Sequence, residues 1–242
     1  MKNLIRPWAA LSTFIVFMQF ASSYECWAAD TDSVFTGQLA QAVPASAPTP
    51  IDTSSNKKLR DAAEPFEKLT EISFSAALSK IDQTIGEAEA AAVGVRGLLL
   101  KDSADRLDSQ IAIMKSARQK QDRAGLALSS IEAYRVLVSA PTNTAKIPAE
   151  VSLLDYAGFR YNADLRATPV RWGDMAEAVS FARQNWDKLS PRVKSSPISK
   201  DFEKAVSDMD RAVIQKSRRL AASSVKTELD LVDQLEKLFS VE

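Results

Sequence analysis

Apolar residues recur at alternating steps of three and four from about residue 57 to the end of the chain. This spacing places them along one face of an α-helix, whereas a half-buried strand would alternate at every second position. No stretch of the sequence shows the strand pattern, and no repeat of fixed period is visible. The sequence therefore predicts an all-α domain over residues 57–242.

Prolines and polar clusters divide the apolar stripes into segments. The first stripe starts near Pro65 and runs to Leu99, and the second runs from Leu107 to Val138. The polar residues at 101–103 are compatible with a hairpin or with one continuous rod. We favour the hairpin, because a rod of that length would need an equally long partner to cover it.

A third segment opens at Pro148, and a last, long segment starts near Pro197. Residues 148–190 match the last segment in length, so Pro169 is interpreted as a kink within a single helix. The predicted architecture is an up-down-up-down four-helix bundle with a kinked third helix. The alternative is a five-helix array, in which the chain reverses just before Pro169.

The first 29 residues have the order of a secretory signal peptide. Lys2 and Arg6 precede an apolar run over residues 8–21, and small residues follow at Ala28 and Ala29. The run is shorter than the ~20 residues that span a bilayer. We expect cleavage after this segment and a periplasmic or secreted protein with no stable membrane insertion.

Residues 30–56 are rich in Ala, Pro, Ser and Thr and carry few apolar side chains. Such a composition buries too little apolar surface to offset the entropy lost on ordering. The sequence therefore predicts a flexible tether over residues 30–56, followed by the helical domain.

The composition excludes several classes of function. The chain has no histidine, and its single cysteine, Cys26, lies within the predicted signal peptide. Zinc, haem and type-I copper sites therefore lack their usual ligands, and a serine nucleophile lacks a histidine base. Acidic and basic residues number 31 each, so the basic excess of a nucleic-acid-binding protein is absent. We expect a non-catalytic protein with no nucleic-acid partner.

Three methionines offer one exception to the absence of metal ligands. Met114, Met175 and Met209 lie on the apolar stripes of different segments, at a similar depth in the predicted bundle. Three thioethers that met in the core would form a soft site for Cu(I) or Ag(I). Methionine is also an ordinary core residue, so metal binding is an alternative here, and no other cofactor is expected.

Charged and phenolic residues gather where the second segment ends and the third begins. Arg135 falls on an apolar stripe and needs a counter-charge from Glu132 or Asp155. A structural ion-pair network is the default interpretation, and a pocket for an anionic or aromatic small molecule is the functional one. The candidate ligand-binding residues are Glu132, Tyr134, Arg135, Asp155, Tyr156, Arg160, Tyr161 and Trp172.

We therefore expect an exported helical protein that binds or senses a small ligand, or that acts as an accessory factor in the cell envelope. The alternative is a structural protein that contacts an envelope partner and has no ligand. A binding protein should contain a cavity with polar groups, whereas an interaction protein should have a sealed core and an exposed apolar strip.

Overall fold

The computed structural model describes residues 53–140, 147–193 and 197–241. These residues form eight α-helices and one short 3-10 helix at Arg96–Leu98, with no strand among them. The all-α class is therefore confirmed. The α-helices are α1 (Thr53–Ile72), α2 (Leu78–Val95), α3 (Lys101–Gln119), α4 (Arg123–Val138), α5 (Ala149–Arg166), α6 (Trp172–Val193), α7 (Ile198–Ile214) and α8 (Arg218–Val241).

All the described residues belong to one compact unit, Ala47–Glu242. The predicted signal peptide and most of the predicted tether lie outside the described residues. Helix α1 begins at Thr53, about one turn before the expected start of the domain, and Asn56 on that turn is buried. None of the described helices is both long and apolar enough to cross a membrane.

The helices are shorter and more numerous than the sequence suggested, so a single four-helix bundle is not confirmed. The first, second and last predicted segments each consist of two helices, with breaks at residues 73–77, 120–122 and 215–217. Pro65 lies inside α1 rather than in a first turn. Pro169 is not a kink, because α5 and α6 pack along each other and the chain reverses between them, as in the five-helix alternative.

The favoured hairpin between the first and second stripes is present as the pair α2 and α3. Two ion pairs join these helices, and a third joins the 3-10 helix after α2 to α3, all in antiparallel order, so that the end of α2 meets the start of α3. The pairs are Arg96 with Asp108, Glu89 with Lys115 at 2.6 Å, and Asp82 with Arg118 at 2.7 Å.

Two of the breaks, at residues 120–122 and 215–217, have the same type of tight turn. Gln121 adopts φ 56°, and the next N–H, from Asp122, donates to the carbonyl of Ala117 at 2.9 Å. Lys216 adopts φ 48°, and Ser217 makes the equivalent bond. This is the Schellman arrangement, in which a left-handed residue ends a helix. The next helix therefore starts at once and folds back on the one before it.

The described chain contains the same four-helix arrangement twice. α1 packs on α2 and α4, and α3 packs on α4; likewise α5 packs on α6 and α8, and α7 packs on α8. Two hydrophobic cores follow this division. The buried side chains of α2 and α6 also have the same spacing along their helices. They are Ile81, Ile85, Ala88, Ala92 and Val95 in α2, and Met175, Val179, Ala182, Trp186 and Leu189 in α6. The sequence shows no fixed period that would have predicted this repeat.

Helices α4 and α5 join the two halves. They pack against each other, and Tyr156 and Phe159 of α5 belong to the core of the first half. Phe181 and Leu229 contact both cores. This junction brings the polar residues of α4, α5 and α6 together.

Candidate functional site

The hydroxyl of Tyr156 is the centre of a polar network at the junction. It donates to Glu132 Oε1 at 2.6 Å and accepts from Arg160 Nη1 at 2.9 Å and Arg135 Nη1 at 3.3 Å. Its ring is buried and meets Phe181 edge to face at 5.2 Å. The structure thus brings together four of the eight candidate residues predicted from the sequence.

Arg160 ties three helices into this network. Besides Tyr156, its guanidinium lies 3.4 Å from Glu132 of α4, 3.9 Å from Asp164 of α5 and 3.2 Å from Glu177 of α6. Its side chain is 23% exposed, so these contacts are partly shielded from solvent. Arg160 therefore links the three helices, and its guanidinium N–H groups are directed at groups of the protein itself.

Asp164 lies at the inner edge of the network. Its carboxyl group is buried and accepts no hydrogen bond from the described residues, although Arg171 Nε is 3.5 Å away. Burial raises the pKa of Asp164 to about 7, while Arg171 and Arg160 oppose the rise.

Arg135 is placed differently from Arg160. Its side chain is 41% exposed, and its nearest carboxylate oxygen is Glu132 Oε2 at 3.8 Å. Its guanidinium lies over the rings of Tyr156 and Phe181, at 5.1 and 4.9 Å from their centroids. Asp155, the other predicted partner, accepts a hydrogen bond from Tyr134 instead. Arg135 is thus held by aromatic faces and keeps an open side.

That open side borders a groove of about 340 Å³ between α3 and α4. Arg106, an exposed residue of α3, contributes a second guanidinium and pairs with no acid in the part of the chain that the structure describes. Two guanidinium groups beside hydroxyl and amide groups suit a small carboxylate or phosphate. The lining residues are Ser103, Arg106, Gln110, Glu132, Arg135, Val136, Ser139 and Ala140.

The other predicted residues lie outside this network. Tyr134 and Asp155 form their own buried pair, with the hydroxyl 3.2 Å from Asp155 Oδ2. Tyr161 is buried in the second core and donates to the carbonyl of Met209 at 3.0 Å. Trp172 is partly buried against the same core. The structure therefore does not bring Tyr161 and Trp172 to the groove.

The three methionines are divided between the two cores. Met114 lies in the core of the first half, whereas Met175 and Met209 lie in that of the second. Met114 and Met209 occupy matching positions in the equivalent helices α3 and α7, and both are fully buried. Met114 and Met209 lie at a similar depth because their helices are equivalent in the repeat, and not because they share a site. No group of three or more histidine, cysteine or acidic side chains within the described ranges could hold a metal ion.

Two further acids, Glu228 and Glu67, were not predicted from the sequence. Glu228 of α8 is completely buried, and its carboxyl oxygens have no hydrogen-bond partner among the described residues. Burial raises its pKa well above the usual range. Burial also raises the pKa of Glu67 to about 7, with repulsion from Glu236 adding to the effect. Glu228 follows Val225 by three residues, so it falls on the apolar face of α8. This spacing was the sequence signal for its burial.

Arg135 and Arg160 should differ in their contribution to stability. Arg160→Ala is expected to lower the free energy of unfolding by about 2 to 3 kcal/mol, because it removes partly buried, charge-assisted contacts. Arg135→Ala should cost only about 0.5 to 1 kcal/mol, since it loses cation–π contacts and a half-exposed ion pair. Urea unfolding of both variants measures the difference. Equal losses would contradict the placement of Arg135 at the open edge.

The junction thus combines an internally satisfied network with an open groove that the network borders. Arg135 and Glu132 belong to both, and Arg106 belongs to the groove alone. No protein family, curated protein or solved structure matches the chain.

Proposed function

We propose that the protein is an exported, non-catalytic binding protein for a small organic anion, held in the α3–α4 groove between Arg106 and Arg135. The observation that carries this proposal is the guanidinium of Arg106, which has no acidic partner among the described residues, in a polar groove that it shares with Arg135. An unpaired guanidinium beside neutral hydrogen-bonding groups favours a ligand that supplies the missing negative charge.

The surrounding network supports the proposal by positioning Arg135 before a ligand arrives. The rings of Tyr156 and Phe181 hold its guanidinium in place, and the Tyr156 hydroxyl accepts from it. A cation ordered in advance loses little further entropy on binding. Glu132 does not oppose an anion strongly, because its charge is offset by Arg160 and by the hydrogen bond from Tyr156.

The predicted signal peptide over residues 1–29 supports export, and the predicted tether would link the helical unit to the mature N-terminus. We infer that each half of the unit is a four-helix bundle, so the bundle suggested by the sequence occurs twice. A Cu(I) or Ag(I) site gains no support, because the three methionines belong to two cores.

A second candidate function is that of an envelope accessory protein with no ligand. It is favoured by apolar residues exposed at the end of α2 and just beyond it, where Val93 is 79% exposed and Leu100 is 82% exposed. Neighbouring exposed apolar side chains are typical of protein contact sites. This surface is compatible with ligand binding in the groove, so a partner could recognise the ligand-bound form.

The proposal predicts that small anions bind to the mature protein through Arg106. Isothermal titration with acetate, succinate and phosphate should give saturable binding of at least one probe. Arg106→Gln should weaken that binding by about 10- to 100-fold, the effect of losing one charge-assisted contact. Arg219→Gln is the matched control, because Arg219 is exposed and does not line the groove. Equal affinities in the two variants would contradict the proposed site.

A further inference from the structure

A second groove, of about 600 Å³, lies between α5 and α8 and shares no lining residue with the α3–α4 groove. Leu165 and Val225 are buried side chains that line it, and Leu229 lines it from a partly buried position. These three residues give the groove an apolar floor. It is thus different in chemistry from the polar groove described above.

The rim of this groove is cationic. Arg166, Arg218 and Lys226 line it, and Asp230 is its only acidic residue. Asp230 is already paired with Lys226 at 2.6 Å, and the guanidinium of Arg166 lies over the ring of Phe74 at 5.0 Å. Arg218 pairs with no acid in the described ranges. The rim therefore carries an excess of positive charge, with Arg218 open to an anion.

The groove is elongated along α8. Arg218, Ala222, Val225 and Leu229 follow one another on a single face of the helix, at steps of three and four. At 1.5 Å per residue, the distance from Arg218 to Leu229 along the helix axis is about 16 Å. The groove as a whole thus extends away from Arg218 for about the length of a medium-chain acyl group, with the apolar floor at its far part.

We propose that the α5–α8 groove binds a fatty acid, with the acyl chain on Leu165, Val225 and Leu229 and the carboxylate at Arg218. The charge complementarity of the rim requires an anionic head group, and the apolar floor requires a single hydrocarbon chain. This site is independent of the anion site at Arg106, so the two proposals succeed or fail separately.

The test is fluorescence titration of the full mature chain with cis-parinaric acid, followed by displacement with dodecanoate. Arg218→Glu should weaken binding at least tenfold, while Arg219→Glu, the adjacent exposed control, should leave it unchanged. Ala222→Trp should also weaken binding, because the indole would fill the groove from an exposed position. Circular dichroism confirms that this variant is folded.

Dodecanol and a twelve-carbon lysophospholipid identify the head group. The proposal expects dodecanoate to displace the probe at least tenfold better than dodecanol. Equal displacement by dodecanol, or binding that survives both Arg218→Glu and Ala222→Trp, would overturn it. If the lysophospholipid displaced the probe at a lower concentration than dodecanoate, the assignment to a fatty acid would be overturned and a phosphate head group would be indicated.

Discussion

Replacing Gly158 with alanine is expected to lower the free energy of unfolding by about 1 to 3 kcal/mol. A Cβ atom at this position would lie 2.1 Å from Glu228 Oε2 and 2.7 Å from Leu229 Cδ2. Both side chains pack between α5 and α8, and Glu228 is completely buried, so relieving the contacts requires the ends of both side chains to shift within that packing. Urea unfolding measures the loss.

Gly86 provides the matched control. It lies within α2, and a Cβ atom there would meet nothing within 4 Å. Gly86→Ala should therefore stabilise the protein, by up to about 1 kcal/mol, since alanine favours the helix. Adding Glu228→Ala to Gly158→Ala should recover part of the lost stability by removing the nearest clash. Equal stability of Gly158→Ala and Gly86→Ala would show that α5 and α8 do not approach as closely as described.

Raising the pH from about 5 to 8 is expected to lower the free energy of unfolding by about 5 kcal/mol. The pKa of Glu67 rises from 4.5 to about 7 and that of Asp164 from 3.8 to about 7, in both cases chiefly because of burial. Burial also raises the pKa values of Asp155 and Glu228 well above their usual range. Between the unfolded and folded pKa values, the folded state binds more protons. The added stability is therefore present at low pH and is lost as the pH rises through about 7.

Glu67→Gln separates this effect from a general dependence on pH. The amide cannot ionise, so the variant should lose less stability than the wild type between pH 5 and 8. Glu203→Gln, an exposed change on α7 that contributes to none of these pKa shifts, should keep the dependence of the wild type. Thermal unfolding at a series of pH values gives the three slopes. A stability that increases with pH across this range would contradict the burial of these acids.

The helical class was predictable because apolar spacing reports helix faces directly. The turns were not, because Gln121 and Lys216 take the left-handed conformation that glycine usually supplies. The apolar stripe also continues across both turns, so each pair of helices resembled one long helix. The repeat was hidden because matching core positions carry different residues, as with Ala92 and Trp186.

Part of the candidate site could also be predicted. Glu132, Arg135, Tyr156 and Arg160 come together because α4 and α5 are consecutive in the chain and pack against each other. The contribution of Arg106 could not be predicted, because α3 meets α4 only through the unrecognised turn at residues 120–122. Asp122, which caps α4 by accepting from the Gly125 N–H at 2.8 Å, was the one sequence signal for this reversal, and the continuous apolar stripe masked it.

Native mass spectrometry of the purified protein in the presence of acetate, succinate or phosphate tests the anion site at Arg106. We expect one such anion per chain in the wild type and in Arg219→Gln and none in Arg106→Gln, whereas a fatty acid retained by all three proteins would belong to the separate α5–α8 groove. Equal occupancy by the small anion in Arg106→Gln and the wild type would contradict the site. So would a wild-type protein that carries no ligand and acquires none from acetate, succinate or phosphate.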